Sequence, residues 1–166
     1  MNLIPVSENL NDYLEKNDII NFDHPEIVSL SRKILKENNS IIEKAEKIFN
    51  YVCIEIPHSA DVNGTHVTLT ASDVYKYKEG ICYAKSHLLA ALFRLNQIPC
   101  GFCYQKLVLD DNEYPDQLII HALNAFYYNK ENRWVRLDAR GNNDTVHAEF
   151  SLHQEKLAFP VRPDLG

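Results

Sequence analysis

Apolar positions before Pro99 recur mostly at helical spacing, whereas those after it gather in short runs rich in β-branched, leucine and aromatic residues. Pro25 suits a first helical turn, and Ile27, Leu30, Ile34 and Leu35 follow at helical intervals, so the spacing predicts an amphipathic helix reaching Asn38 and Asn39. Ser40 with Glu43 has the form of a capping box. The stripe Ile41, Ala45, Ile48, Phe49 and Val52 then predicts a second helix with one buried face. Residues 54–69 interleave single apolar residues with Pro57, Asp61, Asn63 and Gly64 and predict irregular structure. Thr70 and Asp73 can cap a short helix to about Lys78, with Gly80 ending it. Ile81, Ala84, Leu88, Leu89, Ala91, Leu92 and Leu95 predict a strongly buried helix that starts at Cys82 and is terminated by Asn96 and Pro99.

Three strands are expected after Pro99: Tyr104 to Leu109, Leu118 to Tyr128 and Arg133 to Asp138, the last two joined by a turn over residues 129–132. Leu157 to Pro163 is a candidate edge strand. Helices first and strands second imply an α+β fold, in which N-terminal helices and a central buried helix pack on a mainly antiparallel sheet. At 166 residues, without repeats or an interdomain linker, the chain is expected to form one domain over 1–166. The first two helices read as scaffold.

Composition narrows the function classes more than it changes the fold. A hydrophobic fraction of 45% and a charged fraction of 24%, with 5 Gly and 7 Pro, are those of a globular protein and exclude disordered and fibrous classes. A net charge of -6 argues against a nucleic-acid partner, since phosphate binding needs clustered Lys and Arg. Residues 1–20 carry Glu8, Asp12, Glu15, Lys16 and Asp18 with no apolar run, so neither a signal peptide nor a membrane anchor is expected, and a cytoplasmic location follows. Cys53, Cys82, Cys100 and Cys103 are then expected to be reduced thiols.

Chemistry concentrates at Cys82. A thiol is nucleophilic as thiolate, and a helix N-terminus favours that form through its unpaired N–H groups and dipole. Gly80 just before it removes side-chain bulk that would hinder a substrate carbonyl. A nucleophilic cysteine needs a base, and His121 lies on an expected strand beside an orienting carboxylate. If Tyr128 faces Arg133 across the turn, Asp138 lies opposite Leu123, and His121 and Asp138 become diagonal neighbours on one face, roughly 7 to 8 Å apart. A one-residue bulge would reverse that face. Singly, each residue also has an ordinary structural use: a buried thiol, a sheet histidine, a strand-end aspartate.

Together they resemble a known family. Gly80-Ile81-Cys82 with Ala84, Leu88, Leu89, Ala90, Ala91, Leu92, Arg94, Ile98 and Pro99 is similar to the nucleophile helix of the transglutaminase-like superfamily. His121-Ala122 is similar to its histidine strand, and Trp134-Val135-Arg136-Leu137-Asp138 to its aspartate strand. The resemblance covers residues 40 to about 140, with a core of about 40–142. It implies a papain-like fold, no cofactor and no metal. It further implies a Cys82-His121-Asp138 triad that transfers acyl groups from a peptide or protein substrate to water, as a protease or amidase, or to an amine acceptor, as a transglutaminase. Tyr83, Lys85 and Asn124 depart from residues common in the family, which bears on the acceptor. The cleft is expected to draw on His66, Asn63, Tyr75 and Tyr77 from the segment between His58 and Tyr77.

Other readings compete. Cys100-Gly101-Phe102-Cys103 has the C-x-x-C form but follows a helix and Pro99, and with no second spaced pair it fits neither a redox nor a zinc site, so structural thiols are expected. His87 lies on the Cys82 helix but about 140° around its axis, unsuited to serve as the base. A catalytically silent member of the fold acting as a peptide-binding module is the different-class alternative. An arylamine acetyltransferase-like enzyme would use the same triad, but the arginine-rich approach expected there is absent.

Overall fold

The computed structural model describes residues 3–109 and 117–162. Among these, four α-helices precede three strands: α1 Pro25–Ile34, α2 Ile41–Asn50, α3 Ala71–Tyr77 and α4 Cys82–Leu95, then β1 Cys100–Leu109, β2 Gln117–Tyr128 and β3 Arg133–Leu137. The strands form one antiparallel sheet in the order β1-β2-β3. The α+β class therefore stands as read from the chain. No helix among the described residues is long and apolar enough to cross a membrane.

Local signals place most helix ends. Ser40 and Glu43 make both hydrogen bonds of a capping box, as do Thr70 and Asp73. A π-wound turn, Tyr51–Glu55, prolongs α2. Three details differ from expectation. α1 ends at Ile34, where Leu35 turns extended, and does not reach Asn38 and Asn39. α3 is ended by Lys78 in the left-handed conformation at φ 56°, ahead of Gly80. Ile41 and Ile81, counted in buried stripes, sit at helix starts and are exposed, because periodicity gives the phase of a buried face but not where it reaches the surface.

α4 forms the centre. Ala84, Leu88, Leu89, Ala90, Ala91, Leu92 and Phe93 are all buried, so the helix is enclosed on every side by α1, α2, α3 and the sheet. Burying each leucine stabilises the fold by roughly 1.5 to 3 kcal/mol. Phe93 stacks on Phe126 of β2 at 5.5 Å, and Asn124 of β2 donates to the Ser86 carbonyl at 3.2 Å, which fixes one sheet face on the helix. Arg94 closes the far end: its guanidinium donates twice to the Cys100 carbonyl and once to the Glu15 carbonyl.

The other sheet face is covered by both chain termini. Tyr13 lies edge-on to Trp134 at 4.6 Å and directly over Gly101, where a Cβ would approach its ring to 3.1 Å, so β1 needs glycine there. β1 also starts earlier than expected, at Cys100. The Pro99 carbonyl accepts the Tyr127 N–H, and pairing begins as soon as the helix ends. Cys100 and Cys103 therefore lie on opposite faces of one strand, which makes structural thiols of the C-x-x-C segment. The Tyr128–Arg133 pairing is the register inferred from the turn. The tail does not form the edge strand expected over Leu157 to Pro163: residues 157–162 are irregular, and Pro163 lies outside the described residues.

Lys85 is wholly buried on α4, its ammonium donating to the Ile56 carbonyl, and burial pulls its pKa from 10.5 down to about 8. The folded chain thus holds this proton less tightly than the unfolded chain. The charge costs stability at and below pH 8, and that cost disappears as pH rises toward 10.5. Urea unfolding of wild type and Lys85→Met across this range tests it. Wild type is expected to gain on the order of 3 kcal/mol relative to the variant between pH 8 and 10.5, above a constant offset from the lost Ile56 contact; a flat difference would mean the amine stays hydrated.

Candidate active site

Cys82 is the first residue of α4. Its N-cap, Ile81, offers no side-chain acceptor, so the first-turn N–H groups face outward unpaired by any cap. The chain reaching it is held from both sides. Gly80 pairs with His58 in a parallel bridge, Ser59 N–H donates to the Gly80 carbonyl, and Thr68 donates to the Glu79 carbonyl. A Cβ on Gly80 would lie 3.1 Å from the Thr68 hydroxyl and 3.2 Å from Ala84. Packing of the loop against the helix thus leaves little room for a side chain at this position.

β3 stops at Leu137, opposite Asn124, so toward His121 the β2 backbone has a partner strand on the β1 side alone. α4 brings Cys82 to this region, close enough that the Ala122 amide and the His121 side chain lower the pKa of its thiol. Asp138 follows β3 directly. His121 Nε2 and Asp138 Oδ2 are 2.9 Å apart, with both residues buried, which leaves Nδ1 as the nitrogen toward the thiol. Asp138 is itself held: Oδ1 accepts the Arg140 N–H at 3.2 Å and Oδ2 accepts the Ala158 N–H at 3.0 Å. The three residues singled out in the sequence are therefore brought together.

Electrostatics separates Cys82 from the other thiols. Burial acts to raise its pKa, but hydrogen bonds from His121, His58 and the Ala122 amide, with the charge on His121, outweigh this and bring it to about 6. For His121, burial acts to lower the pKa, and hydrogen bonds to Asp138 and Cys82 outweigh it, raising it to about 9. Between these values the pair exists as thiolate and imidazolium. Burial raises Cys53 and Cys103 above the ordinary thiol range and Cys100 to about 12.

Of the expected cleft residues, His66 binds Glu79 and stacks on Tyr77 at 4.2 Å, Tyr75 lies under the Lys78 ammonium, and Asn63 holds a left-handed turn position. Their contacts are with the loop and α3, not with the triad. His58, which sequence reasoning missed as a site residue, is near enough to Cys82 to lower the pKa of its thiol. Its Nδ1 accepts the Ala60 N–H at 3.2 Å, which leaves the ring hydrogen on Nε2. Arg140 was also missed; it clamps Asp61 with two bonds of 2.7 and 3.0 Å, joining the segment after Asp138 to the loop that carries His58. His87 binds the Leu69 carbonyl and packs on Phe102, the structural use expected. Of the departures, Lys85 and Asn124 are buried anchors, and Tyr83 donates to the Ile120 carbonyl at 3.1 Å, tying the first turn of α4 to β2.

A family profile described as the transglutaminase-like superfamily matches residues 28–139, beginning within α1 and so earlier than the motifs alone suggested. A crystal structure from Cytophaga hutchinsonii, described as a candidate cysteine protease, is similar with a TM-score of 0.57 and 21% identity, over 81% of this chain and 43% of that one. That likeness is one of fold, and this chain spans less than half of that protein. No curated protein matches.

Alkylation of each thiol by a small haloacetamide across pH tests the electrostatics without a substrate. Cys82 is expected to react with an apparent pKa near 6, which in His121→Ala moves up toward the free value of about 8.5. Equal, slow reaction of Cys82 and Cys103 near pH 6.5 would mean that no ion pair forms.

Proposed function

The chain belongs to the transglutaminase-like superfamily, and from that premise we propose that it is a cysteine-dependent acyl-transfer enzyme acting on peptide or carboxamide bonds through Cys82, His121 and Asp138. The observation that carries the reading is the 2.9 Å bond from His121 to buried Asp138 beside Cys82, the one thiol of the four whose surroundings lower its pKa instead of raising it.

The Cys82 thiolate attacks the carbonyl carbon, forming a C–S bond and pushing the carbonyl electron pair onto oxygen. The Cys82 N–H at the uncapped helix start and the His58 Nε2–H are the donors that offset this charge. As the tetrahedral adduct collapses, the C–N bond breaks and His121 Nδ1 gives its proton to the leaving amine. Water or an amine then attacks the thioester while His121 takes its proton, and the thiolate is released. Asp138 keeps the Nε2 hydrogen throughout, so that Nδ1 always faces the sulfur. Water as acceptor makes a protease or amidase; an amine makes a transglutaminase.

Fluorogenic peptide amides, with and without a primary-amine acceptor, test the proposal. For a substrate that is turned over, kcat/KM is expected to rise through about pH 6 as Cys82 deprotonates and to fall through about pH 9 as His121 does. Cys82→Ala should abolish turnover and His58→Ala should lower it roughly 10² to 10³-fold; turnover retained in Cys82→Ala would sink the mechanism.

A further inference from the structure

The segment after β3 returns to the triad. Arg133 donates to the Leu152 carbonyl at 2.6 Å, and Arg136 pairs with Glu155 through two bonds of 2.6 and 2.7 Å. The chain thus folds back along β3 and, at Leu157 and Ala158, becomes buried beside Asp138. There the Ala158 N–H donates to Asp138 Oδ2, the same oxygen that holds His121 Nε2. The next residue, Phe159, sets its ring edge-to-face with the His121 imidazole, centroids 5.0 Å apart at 82°. Gln105, which pairs with His121 across β1 and β2, then binds the Phe159 and Pro160 carbonyls at 3.2 and 3.4 Å.

Three independent contacts therefore converge on one hydrogen bond. The amide fixes the carboxylate rotamer that aims Oδ2 at the ring. The phenyl group lies edge-to-face on the imidazole and covers a ring that is buried, so water is kept from competing for Oδ2. Gln105 locks the segment to the strand that neighbours His121. A segment serving only to cover the sheet would require none of these polar contacts at the triad.

We infer that residues 157–160 are a positioning element of the active site, in which the Ala158 amide and the Phe159 ring hold and shield the His121–Asp138 hydrogen bond. This rests on the proposed triad. Without the segment, the imidazole is free to turn from Asp138 and from Cys82, and the thiol returns to the behaviour of an ordinary cysteine.

The test uses ¹⁵N-histidine-labelled protein and the haloacetamide probe on wild type, Phe159→Ala, Phe159→Tyr, Gln105→Ala and a chain ending at residue 156, each checked for native circular dichroism. Wild type should show a slowly exchanging His121 Nε2 proton and fast Cys82 alkylation near pH 6.5. Phe159→Ala and the shortened chain should lose that proton signal to exchange and alkylate about tenfold or more slowly, with Gln105→Ala changing in the same direction and Phe159→Tyr, which keeps the ring, close to wild type. Should the shortened chain not fold, the point variants carry the test. If folded Phe159→Ala and Gln105→Ala keep both signals, the inference is overturned while the triad stands. If wild type itself lacks the fast thiol, the triad reading fails and this inference with it.

Discussion

Burial of the body of α4, Ala84 to Arg94 apart from His87, is the constraint from which the rest of the structure follows. A helix whose apolar residues face every direction cannot lie on a surface, so the other helices and the sheet must enclose it. Its axis is pinned at one end by Arg94 and along its length by Phe93 on Phe126 and Ser86 beneath Asn124. With both contacts fixed, the first residue, Cys82, emerges at the point where β3 has ended and β2 offers the Ala122 amide and the His121 ring. Packing energy of the core thus sets the position of a sulfur atom.

The same enclosure concentrates charge chemistry. Lys85, Arg94, His121 and Asp138 are all buried, and each is satisfied by specific partners instead of water. Removal from water penalises a thiolate at Cys82 and an imidazolium at His121 individually; hydrogen bonds from His121, His58 and the Ala122 amide offset it for the thiol, and those to Asp138 and Cys82 for the imidazole. Among the described residues Lys85 has no carboxylate at hydrogen-bonding distance; its ammonium donates to the Ile56 carbonyl, and its charge remains a cost. It serves instead to tie the start of the His58 loop to α4, one turn from Cys82.

Segments distant in sequence complete the site. Arg140 on Asp61 joins the segment after Asp138 to the loop bearing His58, and the tail from Leu157 closes over the opposite side. For the proposed acyl transfer such supports matter, since misplacement by about an ångström costs rate steeply. Cys82 rests on a helix, His121 and Asp138 on or beside strands, and the loops supply supporting contacts.

Sequence by itself determined most of the elements and the pairing of His121 with Asp138. The 3.6-residue period and capping pairs located α2, α3 and α4, and a four-residue turn with alternating strands fixed the register that puts His121 next to Asp138. These are local relations, in which spacing translates directly into geometry. Only the tertiary structure decided the rest. Nothing in the pattern around Ala158 or Phe159 points to Asp138 and His121, nor does Arg140 point to Asp61, because such contacts depend on how separately folded segments return to one place in space. The tail's apolar run suggested a strand, but its backbone amide is taken by a carboxylate and its carbonyls by Gln105, leaving no ladder to join. Gly80, His58 and Lys85 took their roles likewise from what the fold packs against them, which residue type and spacing do not encode.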